Sequence, residues 1–163
     1  MALTLLLGGA RSGKSALAER IRRHRGQRPA DWRTVEEPFD LETAIANAPA
    51  GTYVLVDCLT LWVSNLVEQG LPDEQVGRRA RAAADVAAGR PGPTVVVSNE
   101  VGSGIVPAEP LARRYRDLLG QVNAVWAAEA GQALLLVAGR AVPLLDPLAA
   151  LGLEPETGGD LHG

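Results

Sequence analysis

A chain of 163 residues, 47% hydrophobic and 21% charged, has the balance of one globular domain with a single core, which excludes a disordered, fibrous or repetitive protein. Sixteen basic against nineteen acidic residues leave a net charge of −3, so no global field draws the chain to nucleic acid or an anionic membrane. One cysteine, Cys58, excludes a disulfide framework. Met1–Thr4 lacks a signal peptide's basic start, and no apolar run reaches the ~20 residues of a membrane span, so a cytoplasmic chain is expected.

Apolar runs and breakers then alternate along the chain. Leu3 to Leu7, closed by Gly8 and Gly9, reads as a strand buried on both faces, and Ser15 to about Arg23 as a helix. Residues 26–38 are polar and irregular. Phe39 to Ala48 reads as a short helix, Tyr53 to Val56 as a second strand ending at Asp57, and Leu59 to Glu68 and Asp73 to Ala88 as helices. Thr94 to Val97 is a third strand, opening into Ser98-Asn99-Glu100-Val101-Gly102. After Pro107 and Pro110 comes an amphipathic helix whose Leu111, Tyr115, Leu118, Leu119, Val122, Val125 and Trp126 read as core. Ala133 to Ala138 is a fourth strand, and residues 148–163 read as a loosely held tail on a domain of residues 1–147. The alternation predicts an α/β fold of the P-loop NTPase type, three layers with a mostly parallel sheet and helices on both faces, and ligands at the carboxyl ends of the strands.

The polar residues gather at that edge. Gly8-Gly9-Ala10-Arg11-Ser12-Gly13-Lys14-Ser15 satisfies G-x-x-x-x-G-K-[ST] between a strand and a helix. The glycines let backbone N–H groups approach phosphate oxygens, and the helix start adds its positive end. Lys14 is the only lysine among sixteen basic residues; the motif explains it, because a compact ammonium suits the β and γ phosphates where a planar guanidinium does not. Ser15 offers a hydroxyl to magnesium. Asp57 stands where such proteins place a carboxylate on the metal, and equally where an aspartate would cap the helix from Leu59. Glu100, on the same edge, could meet metal, a substrate hydroxyl or backbone amides.

His24 lies among Arg20, Arg22, Arg23, Arg25 and Arg28. The run could be a solvated helix face or an anion-binding patch. Flanking guanidiniums favour the neutral imidazole, the form able to attack phosphorus.

Together, GGARSGKS at 8–15, RIRRHRGQRPADWRTVEEP at 20–38, VLVDCLTLWVSNL at 54–66 and VVVSNEVGSGIVPAEPLARRYRDLLGQVNAVWAAEA at 95–130 resemble the bifunctional adenosylcobinamide kinase / adenosylcobinamide-phosphate guanylyltransferase family of cobalamin biosynthesis. The resemblance implies two reactions. ATP or GTP phosphorylates the aminopropanol hydroxyl of adenosylcobinamide; then GTP gives GMP to His24, and the cobinamide phosphate takes it up as adenosyl-GDP-cobinamide. It also implies that Arg25, Gly26, Gln27, Arg28, Glu36 and Asp57 contact GTP, that Ser15 and Asp57 serve Mg2+, and that the chain is a homo-oligomer, a trimer. Two other readings fit part of the pattern: a simple P-loop kinase for another small hydroxyl compound, and a nucleotide-binding relative without turnover. One departure stands out. The family places a strand and a nucleotide-contacting loop between the P-loop helix and the histidine, and here those segments run together. A continuous helix from Lys14 to His24 rises about 15 Å, so the chain folds back after Ile21, His24 serves a neighbouring subunit, or guanylyl transfer is impaired.

Overall fold

A computed structural model describes residues 3–24 and 33–153. Its sheet is built from β1 (Leu3–Gly8), β2 (Val54–Asp57), β3 (Thr94–Val97), β4 (Gln132–Val137) and β5 (Arg140–Leu144), in the order β2-β3-β1-β4-β5. The first four are parallel and β5 pairs antiparallel to β4. Leu5, Leu6, Val96 and Val97 are buried in adjacent strands, as expected of parallel strands covered on both faces.

The helices are α1 (Lys14–His24), α2 (Leu41–Ala46), α3 (Leu59–Glu68), α4 (Asp73–Gly89), α5 (Pro110–Glu129) and α6 (Pro147–Ala150). Buried Ala18 on α1 packs with Leu6, Val95, Val97 and Leu136 on one face of the sheet. The other face carries the larger core, where Leu5, Leu7 and Val96 meet Ile45 of α2, Val63 and Leu66 of α3, Ala80 and Ala84 of α4, and Leu118, Val122 and Trp126 of α5. The expected layering is therefore present, with α1 on one face and α2, α3, α4 and α5 on the other. β1 lies between β3 and β4, so the chain leaves its carboxyl end at the point where connections diverge to opposite sides of the sheet.

Three elements differ from expectation. β5 follows the Ala138–Gly139 turn, both residues at positive φ; all five of its side chains are exposed, so no buried face imposes alternation on the sequence. α6 begins at Pro147, capped by Asp146 accepting from the Leu148 and Ala149 amides. Leu111 is 60% exposed rather than core. The reason is the placement of α5. Asn123 bonds Ser98 and Asn99 at the carboxyl edge of the sheet, so the preceding turns project past that edge by roughly 18 Å at 1.5 Å per residue. They rest on α3 and α4, through Tyr115 Oη donating to the Thr60 carbonyl at 3.1 Å and Arg114 pairing with Asp73 at 2.7 Å.

Candidate active site

The turn from β1 into α1 takes its shape from residues that few other sequences could supply. A Cβ on Gly8 would lie 2.5 Å from Ser12 Oγ and 2.6 Å from the Leu136 carbonyl on β4. Arg11 and Gly13 adopt φ of 56° and 100°, which coils the backbone inward. The Ser12 amide then donates to Gly9 O at 3.4 Å, and the Leu17 amide to Gly13 O at 2.9 Å as the helix begins. The result is an open depression of about 230 Å³ lined by Arg11 to Ala16. Gly9 and Ala10 are exposed at its rim, and the α1 N-terminus supplies its positive end.

Lys14 is folded into this turn, only 7% exposed. Its Nζ donates to the carbonyls of Gly8 at 2.8 Å and Gly9 at 2.7 Å and to Ser12 Oγ at 3.4 Å. A lysine is seldom buried unless its charge is matched, and here neutral acceptors do the matching. Burial accordingly holds its ammonium below the ordinary lysine value, while the fields of Cys58 and Asp57 act in the opposite direction.

The neighbouring strands complete the edge. Asp57 ends β2 with its side chain exposed. It does not cap α3: Cys58 holds the N-cap position and makes no side-chain cap bond. β3 lies between β1 and β2, and beyond its last residue the Ser98 amide donates to Leu6 O at 2.9 Å and the Glu100 amide to Gly8 O at 3.1 Å. Of the partners open to Glu100, its carboxylate takes a backbone amide, that of Gly102, at 2.6 Å. From the other side, the Gly139 amide in the β4–β5 turn donates to Ser12 O at 3.1 Å.

Among the described residues no three His, Cys, Asp or Glu side chains converge to hold a metal. With Glu100 turned onto the Gly102 amide and Ser12 Oγ onto Lys14, the oxygens open to a cation at this edge include the exposed Ser15 hydroxyl and Asp57 carboxylate. Such a sparse all-oxygen set suits magnesium, which keeps waters and takes phosphate oxygens for the rest of its octahedron.

The family described as cobinamide kinase / cobinamide phosphate guanyltransferase matches residues 16–144. The chain belongs to this family. Among its relatives, the bifunctional adenosylcobalamin biosynthesis protein CobP of Pseudomonas aeruginosa is 40% identical over 166 residues, covering 86% of this chain and 95% of the relative. The bifunctional adenosylcobalamin biosynthesis proteins CobU of Escherichia coli and Salmonella typhimurium are 36% and 35% identical, each over 87% of this chain and 99% of the relative. Membership of the cobinamide kinase / guanyltransferase family makes the chain an enzyme with both activities, and it decides against a kinase for an unrelated hydroxyl compound and against a binder without turnover. The match with the Pseudomonas protein spans 166 positions but takes in 86% of 163 residues, about 140, so roughly 26 positions fall opposite gaps in this chain. The deficit lies inside the match.

For the cobinamide kinase / guanyltransferase reactions, the expected residues fall into four groups. Gly8, Gly9, Ala10, Arg11, Ser12, Gly13, Lys14 and Ser15 form one turn, and the field of Asp57 reaches Lys14. Glu36 lies on the exposed stretch 33–38, which is held beside α3 by Asn65 Nδ2 donating to Pro38 O at 3.2 Å and Trp62 Nε1 donating to Phe39 O at 3.0 Å. Arg25, Gly26, Gln27 and Arg28 lie outside the described residues. His24 is the last residue of α1, which runs unbroken from Lys14, so the chain does not fold back after Ile21. Its backbone stands about 15 Å along the helix from Lys14, at 1.5 Å per residue. The groups that tie the β3 exit together, the side chains of Thr60, Ser98 and Asn123 and the backbone of Asn99, lie inside the segments that carry the resemblance but were given no role from the sequence. The helix α5 was legible, but its projection past the sheet edge left no local signal. No helix among the described residues is long and apolar enough to cross a membrane.

Proposed function

We propose that both reactions use the phosphate depression at the head of α1, and that Lys14 is its switchable cation. The observation that carries this is the lysine itself, a buried ammonium held by three neutral oxygens at a helix N-terminus. The phosphates of ATP or GTP offer it better acceptors than the Gly8 and Gly9 carbonyls, and backbone N–H groups from Gly9 to Ser15 complete the cradle. Ser15 and Asp57 would hold Mg2+ with the phosphate oxygens. When bound, the ion neutralises charge on the phosphates.

In the kinase step the aminopropanol oxygen of adenosylcobinamide attacks the γ-phosphorus, the O–P bond to the β-phosphate breaks, and Lys14 and the amides hold the charge on the departing diphosphate. In the transfer step a His24 imidazole nitrogen attacks the α-phosphorus of GTP and pyrophosphate leaves. The phosphate oxygen of adenosylcobinamide phosphate then displaces the histidine to give adenosyl-GDP-cobinamide. In this reading Arg25, Gly26, Gln27, Arg28 and Glu36 contact GTP and the chain works as a trimer, as the family resemblance implies, and it acts in the cytoplasm. Exposed Val137, Val142, Leu145, Leu148 and Leu151, along β4, β5 and α6, support an assembly of copies.

The test uses GTP labelled on the α-phosphate. Wild type is expected to form an acid-labile, base-stable adduct that His24→Ala lacks, while cobinamide phosphorylation survives that substitution. Wild-type protein that phosphorylates cobinamide but never labels would remove His24 from the mechanism.

A further inference from the structure

We propose that Asn123 on α5 is a positioning residue for phosphoryl transfer, holding the exit of β3 so that Glu100 and the Gly8 carbonyl keep their places beside Lys14. The proposal rests on the reading of the P-loop depression as the transfer site. Asn123 is 5% exposed and stands in the apolar stripe of α5 among Leu119, Val122 and Trp126. A polar amide there loses solvation and packs no better than leucine, so its presence calls for a polar task. Both ends of the amide are occupied. The fully buried Ser98 hydroxyl donates to Asn123 Oδ1 at 2.6 Å, and Asn123 Nδ2 donates to the Asn99 carbonyl at 3.0 Å.

What those bonds hold is the reaction edge. The Asn99 amide donates to the Thr60 hydroxyl at 3.0 Å, three residues beyond Asp57. The next amide, Glu100, donates at 3.1 Å to the Gly8 carbonyl. That same oxygen accepts Lys14 Nζ at 2.8 Å. Residues Ser98 to Glu100 are thus anchored to α5, to the start of α3 beside Asp57, and to the P-loop. Of these anchors only Asn123 reaches the segment from outside the edge, with the rigidity of a 20-residue helix behind it. Loosening it leaves the phosphate cradle in place but frees its neighbour, and displacements of about 1 Å at a reacting centre can cost 10²-fold in rate.

The experiment compares wild type with Asn123→Leu, which matches the side chain in size and suits the apolar stripe, with Ser98→Ala, and with the double variant. The readouts are thermal melting, Kd for Mg-GTP, and steady-state cobinamide phosphorylation. Asn123→Leu is expected to melt several degrees below wild type, because the Ser98 hydroxyl and the Asn99 carbonyl lose their partner, but to stay folded at the assay temperature and bind Mg-GTP within about threefold, yet lose at least tenfold in kcat. Ser98→Ala shifts kcat in the same direction by less, and the double variant is no worse than Asn123→Leu, because the hydroxyl then has nothing to hold. A kcat within twofold of wild type in folded Asn123→Leu overturns the proposal, as does a loss confined to Kd. If Asn123→Leu does not fold, Ser98→Ala decides alone: unchanged kcat overturns it. Lys14→Ala run beside them separates the two readings. If Lys14→Ala is inactive and Asn123→Leu fully active, only the role of Asn123 falls; if Lys14→Ala is active, the site reading falls and the proposal with it.

Discussion

Lys14 Nζ donates to the Gly8 carbonyl at 2.8 Å, and the amide of Glu100 donates to that same oxygen at 3.1 Å. The P-loop carbonyl therefore keeps a partner when the lysine moves to a ligand, which lowers the cost of release. It also keeps one if the lysine is removed. Burial already disfavours the ammonium. Lys14→Met, similar in reach and uncharged, is thus expected to melt within about 4 °C of wild type, or above it, where 1 kcal/mol corresponds to about 2–4 °C for a chain of this size. Phosphoryl transfer should fall by about 10²-fold or more, the scale of losing one charge-stabilising donor. Calorimetric melts and a kinase assay check both; a large drop in Tm would show that the bonds to Gly8 and Gly9 outweigh the desolvation.

The lowered pKa of Lys14 carries a sign for pH dependence. The folded, ligand-free chain gives up this proton at lower pH than the unfolded chain, whose lysine titrates near 10.4. Between those values the unfolded state binds more protons, so the Lys14 contribution to stability rises with pH there; below both it is a constant penalty. Triphosphate binding runs the other way. It needs the ammonium, so affinity should decline on the alkaline side before an ordinary lysine would titrate, and binding there should take up protons. Titration calorimetry in buffers of different ionisation enthalpy measures that uptake; its absence, or its persistence in Lys14→Met, would detach the effect from Lys14.

Gly8 and Gly9 are adjacent glycines with opposite tolerances. A Cβ at Gly8 would press on the Leu136 carbonyl of the paired β4 strand at 2.6 Å, and backbone cannot swing aside as a side chain can. Gly8→Ala is expected to cost about 2–3 kcal/mol, the upper range for overpacking, and to weaken triphosphate binding more than tenfold. At Gly9 a Cβ meets nothing within 4 Å, so Gly9→Ala should keep wild-type stability. Denaturant midpoints for the pair test this; equal losses would mean that the β1–β4 contact is not what requires Gly8.

Arg90 offers a stability effect separate from chemistry. It is 8% exposed, and its guanidinium donates to Thr52 O at 2.9 Å and Pro49 O at 3.1 Å, pinning the approach to β2 against the end of α4. Burial pushes its pKa down, but the group stays charged. Arg90→Met takes the donor from the Thr52 carbonyl, while Pro49 O keeps the Thr52 amide and hydroxyl, and should cost about 1–2 kcal/mol. Activity per folded molecule should stay near wild type, because neither carbonyl faces the P-loop; equilibrium unfolding and an active-site titration separate the two.

Much of this edge could be read from residue patterns, for physical reasons that also explain what escaped. The P-loop was legible because phosphate chemistry dictates residue types over eight consecutive positions, and β1 and β3 because strands buried on both faces are short continuous apolar runs, a pattern the half-buried edge strand β2 shares. β5 escaped because its short apolar run from Ala141 is interrupted by Pro143, which a strand tolerates only at a sheet edge. The Asn123 clamp escaped because its partners stand 24 and 25 residues away, a separation set by packing of α5 on β3 rather than by any local period. Leu111 keeps its place in the helical stripe, but the stripe continues past the sheet that would have buried it.

His24 and Lys14 stand at opposite ends of one unbroken helix, about 15 Å apart along its axis at 1.5 Å per residue. Folding back after Ile21 would cost the last backbone bonds of α1, whereas a second copy could bring its own P-loop to His24 with the helix intact. Co-expression of Lys14→Ala and His24→Ala chains distinguishes these routes. Each mixed assembly holds a working P-loop only on the His24→Ala chain and a histidine only on the Lys14→Ala chain. With α-labelled GTP, transfer between subunits is expected to place the adduct on the Lys14→Ala chain, which a mass tag identifies, while neither variant labels when expressed alone. Absence of label from mixed assemblies whose wild-type counterpart labels would mean that α1 unwinds and His24 reaches the P-loop of its own chain.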